Sequence, residues 1–504
     1  MFKLFHGFHL VEAYQKKHAH ARYGEHRALS RFIRLCFATI IPIILWILPT
    51  DVFGIEGLTV IEQRVIAVFV FAALMWIVEA VPAWTTSMAV VVIMLLTVSD
   101  SSFLFFRQGY DPEQLGTLVK YQSILHSFAD PIIMLFIGGF VLAIAATKTG
   151  LDLWLARHML KPFGTRSKNV LLGFVLVTAI FSMFLSNTAT AAMMLMFLAP
   201  VLKALPADGK GKVGLALAIP IGANIGGMAT PIGTPPNAIA LKYLNDPEGL
   251  GLNLGFGEWM SFMFPFVIIV LFIGWGVLLT LFPFKQKTIE LDIQGEAKKD
   301  WRSVTVYVTF AITVLLWISD KLTGVNSNVV AMIPVGVFSL IGVLTRRDLE
   351  EINWSVLWMV AGGFALGVGL NETGLAKHLI QSIPFSTWSP VAMIIGSGLI
   401  CYLMSNFISN TATAALLVPI LAIAGSSMRE NLDVVGGVST LLIGIAVSSS
   451  VAMVLPVSTP PNALAHATGM IEQKQMIRVG LIMGVIGLVL GYTMLIALGS
   501  IGWI

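Results

Sequence analysis

Ser186-Asn187-Thr188-Ala189-Thr190-Ala191-Ala192 decides how this chain is read, because the same seven residues return at Ser409-Asn410-Thr411-Ala412-Thr413-Ala414-Ala415. Each copy lies between two apolar arms that are too short to be comfortable membrane spans. Serine and asparagine at bilayer depth are costly unless they find partners. Such residues, kept where lipid penalises them, mark a binding site. We read each copy as the tip of a re-entrant hairpin.

Around these tips the chain has 504 residues, 57% of them hydrophobic and 12% charged, with a mean hydropathy of +0.86. Apolar runs that break and resume throughout such a chain define a polytopic membrane protein. The two cysteines, Cys36 and Cys401, lie in apolar stretches and build no disulfide framework or thiolate cluster. The net charge of +4 is explained by basic residues placed as a topology signal, so no nucleic-acid partner is expected. The polar N-terminus precedes the first long apolar run, so no cleaved signal peptide is expected and that run stays as a span. Residues 1–32 hold His6, His9, His18, His20 and His26; we read them as a basic cytoplasmic tail rather than a metal site.

The second half repeats the first. Gly138-Gly139-Phe140 matches Gly362-Gly363-Phe364, Thr149-Gly150-Leu151 matches Thr373-Gly374-Leu375, and Thr234-Pro235-Pro236-Asn237 matches Thr459-Pro460-Pro461-Asn462, all at nearly one offset. The glycine pairs suit close helix packing. Glycine and proline at the density of Gly226–Asn237 break a helix. The pattern predicts spans at 33–50, 62–81, 85–98, 129–147, 211–245 (broken), 258–283, 303–319, 327–344, 355–371, 436–470 (broken) and 475–503, with a helix in the interface plane at 150–161.

With the N-terminus inside, cytoplasmic segments collect roughly four times as many Lys and Arg as the outside, as the positive-inside rule demands. The outside holds Arg107, Lys120, Lys242, Lys321, Lys377 and Arg429. The fold class is therefore all-α and polytopic, with about 11 transmembrane helices plus two re-entrant hairpins in two inverted repeats, and the C-terminus outside the cell membrane. Each hairpin's second arm starts at its tip, so free N–H groups and the positive end of a helix dipole meet there, and the Thr-Pro-Pro-Asn loops open further helices. An anion fits. No Lys, Arg or carboxylate stands in the cores of these elements to pair with it or relay protons, whereas amide, hydroxyl and carbonyl oxygens suit sodium. An intramembrane enzyme would need a nucleophile with a base or a metal cluster. Only His466, read as lining the end of the last broken helix, comes near, and opposed hairpins disfavour a channel.

These residues, the paired SNTATAA with Gly233-Thr234-Pro235-Pro236-Asn237 and Ser458-Thr459-Pro460-Pro461-Asn462, resemble the divalent anion:sodium symporter family, the INDY-type dicarboxylate and citrate carriers, from about residue 33 onward. The resemblance implies a homodimer working by an elevator motion. It implies scaffold parts at 33–161 and 303–385, each with an interfacial helix, transport-domain parts at 162–283 and 386–504, and a cytoplasmic linker at 284–302. It also implies that Ser186, Asn187, Thr188, Ser409, Asn410 and Thr411 contact substrate carboxylates, with Thr234, Pro235, Thr459 and Pro460 lining the same pocket. One sodium site would use Ser182, Ser186, Asn187 and the carbonyl of Gly233. The other would use Ser405, the carbonyl of Ile408, Asn410 and the carbonyl of Ser458. The expected function is sodium-coupled import of succinate, malate, fumarate or citrate without a further cofactor; a sodium-independent exchanger and a sulfate symporter are the alternatives.

Overall fold

The computed structural model describes residues 25–205, 209–246, 249–289, 298–382 and 388–504. The expected tail falls largely outside the described residues, as does the middle of the 284–302 linker. The first half contains α1 (Glu25–Ile47), α2 (Val60–Val78), α3 (Ala83–Thr97), α4 (Pro131–Thr149), α5 (Leu151–Leu160), α6 (Ser167–Phe184), α7 (Asn187–Ala204), α8 (Gly211–Gly226), α9 (Pro235–Asn245) and α10 (Phe256–Leu281). The second contains α11 (Trp301–Ile318), α12 (Met332–Leu340), α13 (Trp354–Glu372), α14 (Leu375–Ser382), α15 (Pro390–Ser405), α16 (Asn410–Ser427), α17 (Gly437–Ser450), α18 (Pro460–Ala467) and α19 (Gln473–Ser500). Among the described residues, 9 helices are long and apolar enough to cross a membrane. Shorter apolar helices such as Ala83–Thr97 and Gly437–Ser450 complete the bundle.

Contacts between helix ends sort the chain into two levels. At one, Arg31 donates to Ala80 O, Ser167 Oγ to Gln286 O, and Lys298 Nζ to Lys148 O. At the other, Lys120 N donates to Glu372, Lys242 pairs with Asp130, and Lys321 Nζ lies 3.1 Å from Glu258. The first level is where the basic residues gather.

Both arms of each hairpin can be placed against these levels. The N-termini of α6 and α8 both start beside the segment following α10: Ser167 N donates to Lys287 O, and a Cβ at Gly211 would meet the Phe284 ring at 2.3 Å. Their C-terminal ends also meet, since Ser182 Oγ donates to Ala223 O at 2.7 Å. α6 and α8 thus run parallel although α7 lies between them in sequence, so α7 must carry the chain back. In the second half Cys401 Sγ donates to Ile445 O and Ser405 Oγ to Ser449 O, advancing together along α15 and α17. The start of α17 packs beside the end of α19, where a Cβ at Gly499 would lie 2.2 Å from Gly436 O, and Ser439 and Gly502 line one cavity with Glu258 and Lys321 of the second level. The two hairpins therefore open toward opposite levels, as inverted repeats require.

Lipid gives packed helices no hydrophobic reward over lipid-facing ones, so close contact relies on small residues. A Cβ at Gly138 would lie 2.3 Å from Ala331 O, within the predicted 327–344 span, where Ala331 N still donates to Ser327 O. A Cβ at Gly362 would lie 2.4 Å from the Ser87 Cβ, and one at Gly363 would lie 2.8 Å from the Ala415 Cβ of the second hairpin. Gly150, at φ 73°, ends α4 and turns the chain into α5.

Away from the spans, Lys148 Nζ donates to Asp348 Oδ2 and to Val343 O, each at 2.6 Å, and joins the two halves at the basic level. Partial burial raises the Asp348 carboxyl, but the bonds from Lys148 and Thr345 prevail and hold it below the ordinary carboxylate range. A depressed folded-state value means that the pair stabilises fully above the unfolded-state value and is lost as pH falls through the lowered one. Asp348→Asn is expected to cost about 1 to 3 kcal/mol at neutral pH, given one nearly buried partner. Thermal unfolding in detergent should show a lower midpoint that converges on the parent's in acid.

Candidate functional site

Each hairpin tip sets an extended serine directly before a helix. Ser186 (φ −61°, ψ 140°) caps α7 by accepting from Ala189 N at 3.2 Å, and Ser409 (φ −62°, ψ 140°) caps α16 by accepting from Ala412 N at 3.2 Å. The asparagine then occupies the first helical position, where the first-turn N–H groups have no carbonyl within the helix. Ser186, Asn187, Thr188, Ser409 and Asn410 are half-buried, and Thr411 is buried.

The serine one turn before each tip meets its asparagine. Ser182 Oγ lies 2.6 Å from Asn187 Oδ1 and 2.7 Å from Ala223 O. Ser405 Oγ lies 2.7 Å from Asn410 Oδ1 and 3.2 Å from Ser449 O. One hydroxyl proton serves two acceptors in each half, and the surplus lone pairs suit a hard cation with oxygen ligands. Gly233 belongs to the same space: a Cβ built on Gly227 would lie 2.6 Å from Asn187 Oδ1 and 3.0 Å from Gly233 O. In the second half Ser458 Oγ donates to Asn406 O at 2.8 Å, which seats Ser458 beside Ser405. Ile408 is buried next to that tip.

The broken-helix loops are wound around their asparagines. Asn237 Nδ2 donates to Gly227 O, Met228 O and Thr230 O, and Asn462 Nδ2 donates to Met453 O and Leu455 O. Thr459 caps α18 by accepting from Asn462 N at 3.3 Å, whereas Thr234 occupies the matching cap position of α9 without that bond. Thr234 and Thr459 are buried, Pro235 is half-buried and Pro460 is exposed. The halves interlock: α18 packs on α7 and α8, and α9 packs on α16 and α17.

Sequence reasoning missed three side chains that hold this arrangement. Thr230 Oγ1 donates to Met183 O and accepts from Gly233 N; Asn406 Oδ1 accepts from Val454 N at 2.9 Å; and Asn224 reaches across to Thr459. Asn237 and Asn462 stood inside a repeated motif and were legible as such, but their role as loop clamps was not. For Asn224 the available signal was an amide within an apolar run. His466, at the end of α18, has Nδ1 2.9 Å from Ile471 O.

Two opposed hairpins and two interrupted helices converging on uncharged oxygens define a secondary active membrane transporter. Residues 29–504 match the family described as the sodium:sulfate symporter transmembrane region. The chain belongs to that family, the divalent anion:sodium symporters, whose members are transporters and not enzymes. It is 32% identical over 449 residues to an uncharacterized transporter of Haemophilus influenzae, covering 85% of this chain and 90% of the relative. It is 31% identical over 480 residues to the sodium-dependent dicarboxylate transporter SdcS of Staphylococcus aureus, covering 86% of each. Among solved structures, the fold resembles MtrF of Neisseria gonorrhoeae, with a TM-score of 0.53 at 14% identity over 82% of this chain and 94% of that one. It also resembles the YdaH transporter of Alcanivorax borkumensis, with a TM-score of 0.50 at 12% identity over 76% and 88%.

Proposed function

We propose that this protein imports a C4-dicarboxylate such as succinate, malate or fumarate together with sodium ions. The observation that carries this reading is the surplus of acceptor oxygens at Ser182/Asn187/Ala223 and again at Ser405/Asn410/Ser449. Sodium fills each surplus, at Ser182, Ser186, Asn187 and Gly233 O in one half and at Ser405, Ile408 O, Asn410 and Ser458 O in the other. The ions, with the first-turn N–H groups of α7 and α16, then make the space between the tips attractive to a di-anion. Ser186, Asn187, Thr188, Ser409, Asn410 and Thr411 hold the carboxylates, and Thr234, Pro235, Thr459 and Pro460 line the pocket. The sodium-dependent dicarboxylate relative supports both the cargo and the coupling ion.

The packing supports a movement of one body against another. Residues 162–283 and 386–504 form the body that carries the site, and it slides against a scaffold of 33–161 and 303–385 through small-residue contacts such as Gly363 on Ala415. The basic level faces the cytoplasm, which puts the C-terminus outside. Exposed Val304, Val308, Ile312 and Leu315 on α11 give the scaffold an apolar face for lipid or for the second subunit of a homodimer.

Labelled succinate uptake into proteoliposomes tests the reading. Uptake is expected under an inward sodium gradient with no internal dicarboxylate, and not when potassium replaces sodium. Uptake in potassium that appears only after preloading with succinate would establish exchange instead. Sulfate that competes better than malate would move the substrate assignment to sulfate.

A further inference from the structure

Between the two half-sites runs a hydrogen-bonded crossing made by one side chain. Asn224, in the last turn of α8 and 2% exposed, donates through Nδ2 to Thr459 Oγ1 at 3.0 Å and to Asn462 Oδ1 at 3.2 Å. The orientation of these amides is set by chemistry. Asn462 uses its own Nδ2 on Met453 O and Leu455 O, so its Oδ1 can only accept.

On the first-half side, the residue before Asn224 is Ala223, whose carbonyl accepts from the Ser182 hydroxyl that also faces Asn187. On the second-half side, Leu455 N donates to Ser458 Oγ, and Ser458 Oγ donates to Asn406 O beside Ser405. Polar contacts therefore lead from one tip, through Asn224, to the loop at the other.

The mirrored crossing is not made. By the register that relates Thr234 to Thr459 and the clamped carbonyls of Met228 and Thr230 to those of Met453 and Leu455, Ser449 stands where Asn224 stands in the other half. Asn237 mirrors Asn462 and commits its Nδ2 to loop carbonyls in the same way. Yet Ser449 Oγ donates to Ala446 O of its own helix, and Asn237 Oδ1 is buried with no hydrogen-bond partner. A hydroxymethyl group stops short where a carboxamide reaches.

We propose that Asn224 is the positioning residue that couples the two half-sites, so that filling one favours filling the other. This inference rests on the sodium-coupled reading above. An ion at the first tip orders the Ser182 and Ala223 turn of α8. Asn224, one residue further, then holds the cap of α18 and the loop bearing Ser458 in the geometry that takes the second ion. A bond whose strength depends on both occupancies is a coupling free energy, and it acts equally in both directions.

The test is a sodium titration of the full-length protein, read by tryptophan fluorescence with succinate present and, separately, by uptake in proteoliposomes. Asn224→Ser is the main variant, since serine already occupies the equivalent position in the other half and the fold accommodates it there. The parent is expected to show a Hill coefficient above 1 for sodium. In Asn224→Ser the coefficient falls to about 1, and half-saturating sodium and the succinate KM rise roughly two- to tenfold, while uptake at saturation stays within about twofold. Asn224→Ala should behave alike. A parental Hill coefficient in Asn224→Ser, or a loss of maximal uptake alone, would overturn the inference and leave the transport reading standing. A parent with no sodium response would instead overturn the transport reading, and this inference with it.

Discussion

Sodium-driven succinate uptake is expected to fall at least about 100-fold in Asn187→Ala, since even residues behind a metal's direct ligands typically account for 10- to 100-fold. The substitution removes the Oδ1 that faces Ser182 and borders the space shared with Gly233 O. It leaves the turn itself intact, because the cap of α7 is made by Ser186 on Ala189 N and alanine is a good helix former at the next position. Asn410→Ala should behave in the same way, since Ser409 caps α16 equally. Uptake by reconstituted variants, with thermal unfolding in detergent as the check on folding, decides the matter. Normal uptake by both would remove the site assignment.

Gly227→Ala is expected to be nearly as damaging through a single added methyl group. The backbone of Gly227 (φ −58°, ψ −22°) suits any residue, so conformational strain plays no part. The new Cβ would lie 2.6 Å from Asn187 Oδ1, 3.2 Å from Asn187 Nδ2 and 3.0 Å from Gly233 O, inside the space assigned to the first ion. Half-saturating sodium should rise at least about tenfold, because a packed site yields to an added methyl only by moving the groups that form it. Gly276→Ala and Gly396→Ala are the controls, since an added Cβ there meets nothing within 4 Å. Equal effects at all three positions would show that the loss is general destabilisation.

Much of the architecture was legible in the sequence. The paired heptapeptides located both tips, the Pro-Pro-Asn motifs located both helix breaks, and the basic residues sorted the segments into two levels. These features are local or statistical, and each acts where it is written. Gly138 and Gly362 were legible as packing positions, but not that they meet Ala331 and Ser87, which lie far away in the chain.

The sequence alone determined that this chain spans a membrane many times, that it is built from two repeats, and that its uncharged polar residues concentrate at two tips. Lipid imposes all three, since hydropathy, breaks and charge placement must appear in the chain itself for the bilayer to accept it. Only the tertiary structure decided which oxygens share a space and that the repeats are joined by Asn224 on one side and not by Ser449 on the other. That difference depends on how far a side chain reaches across an interface between segments distant in sequence, and no local pattern encodes the distance.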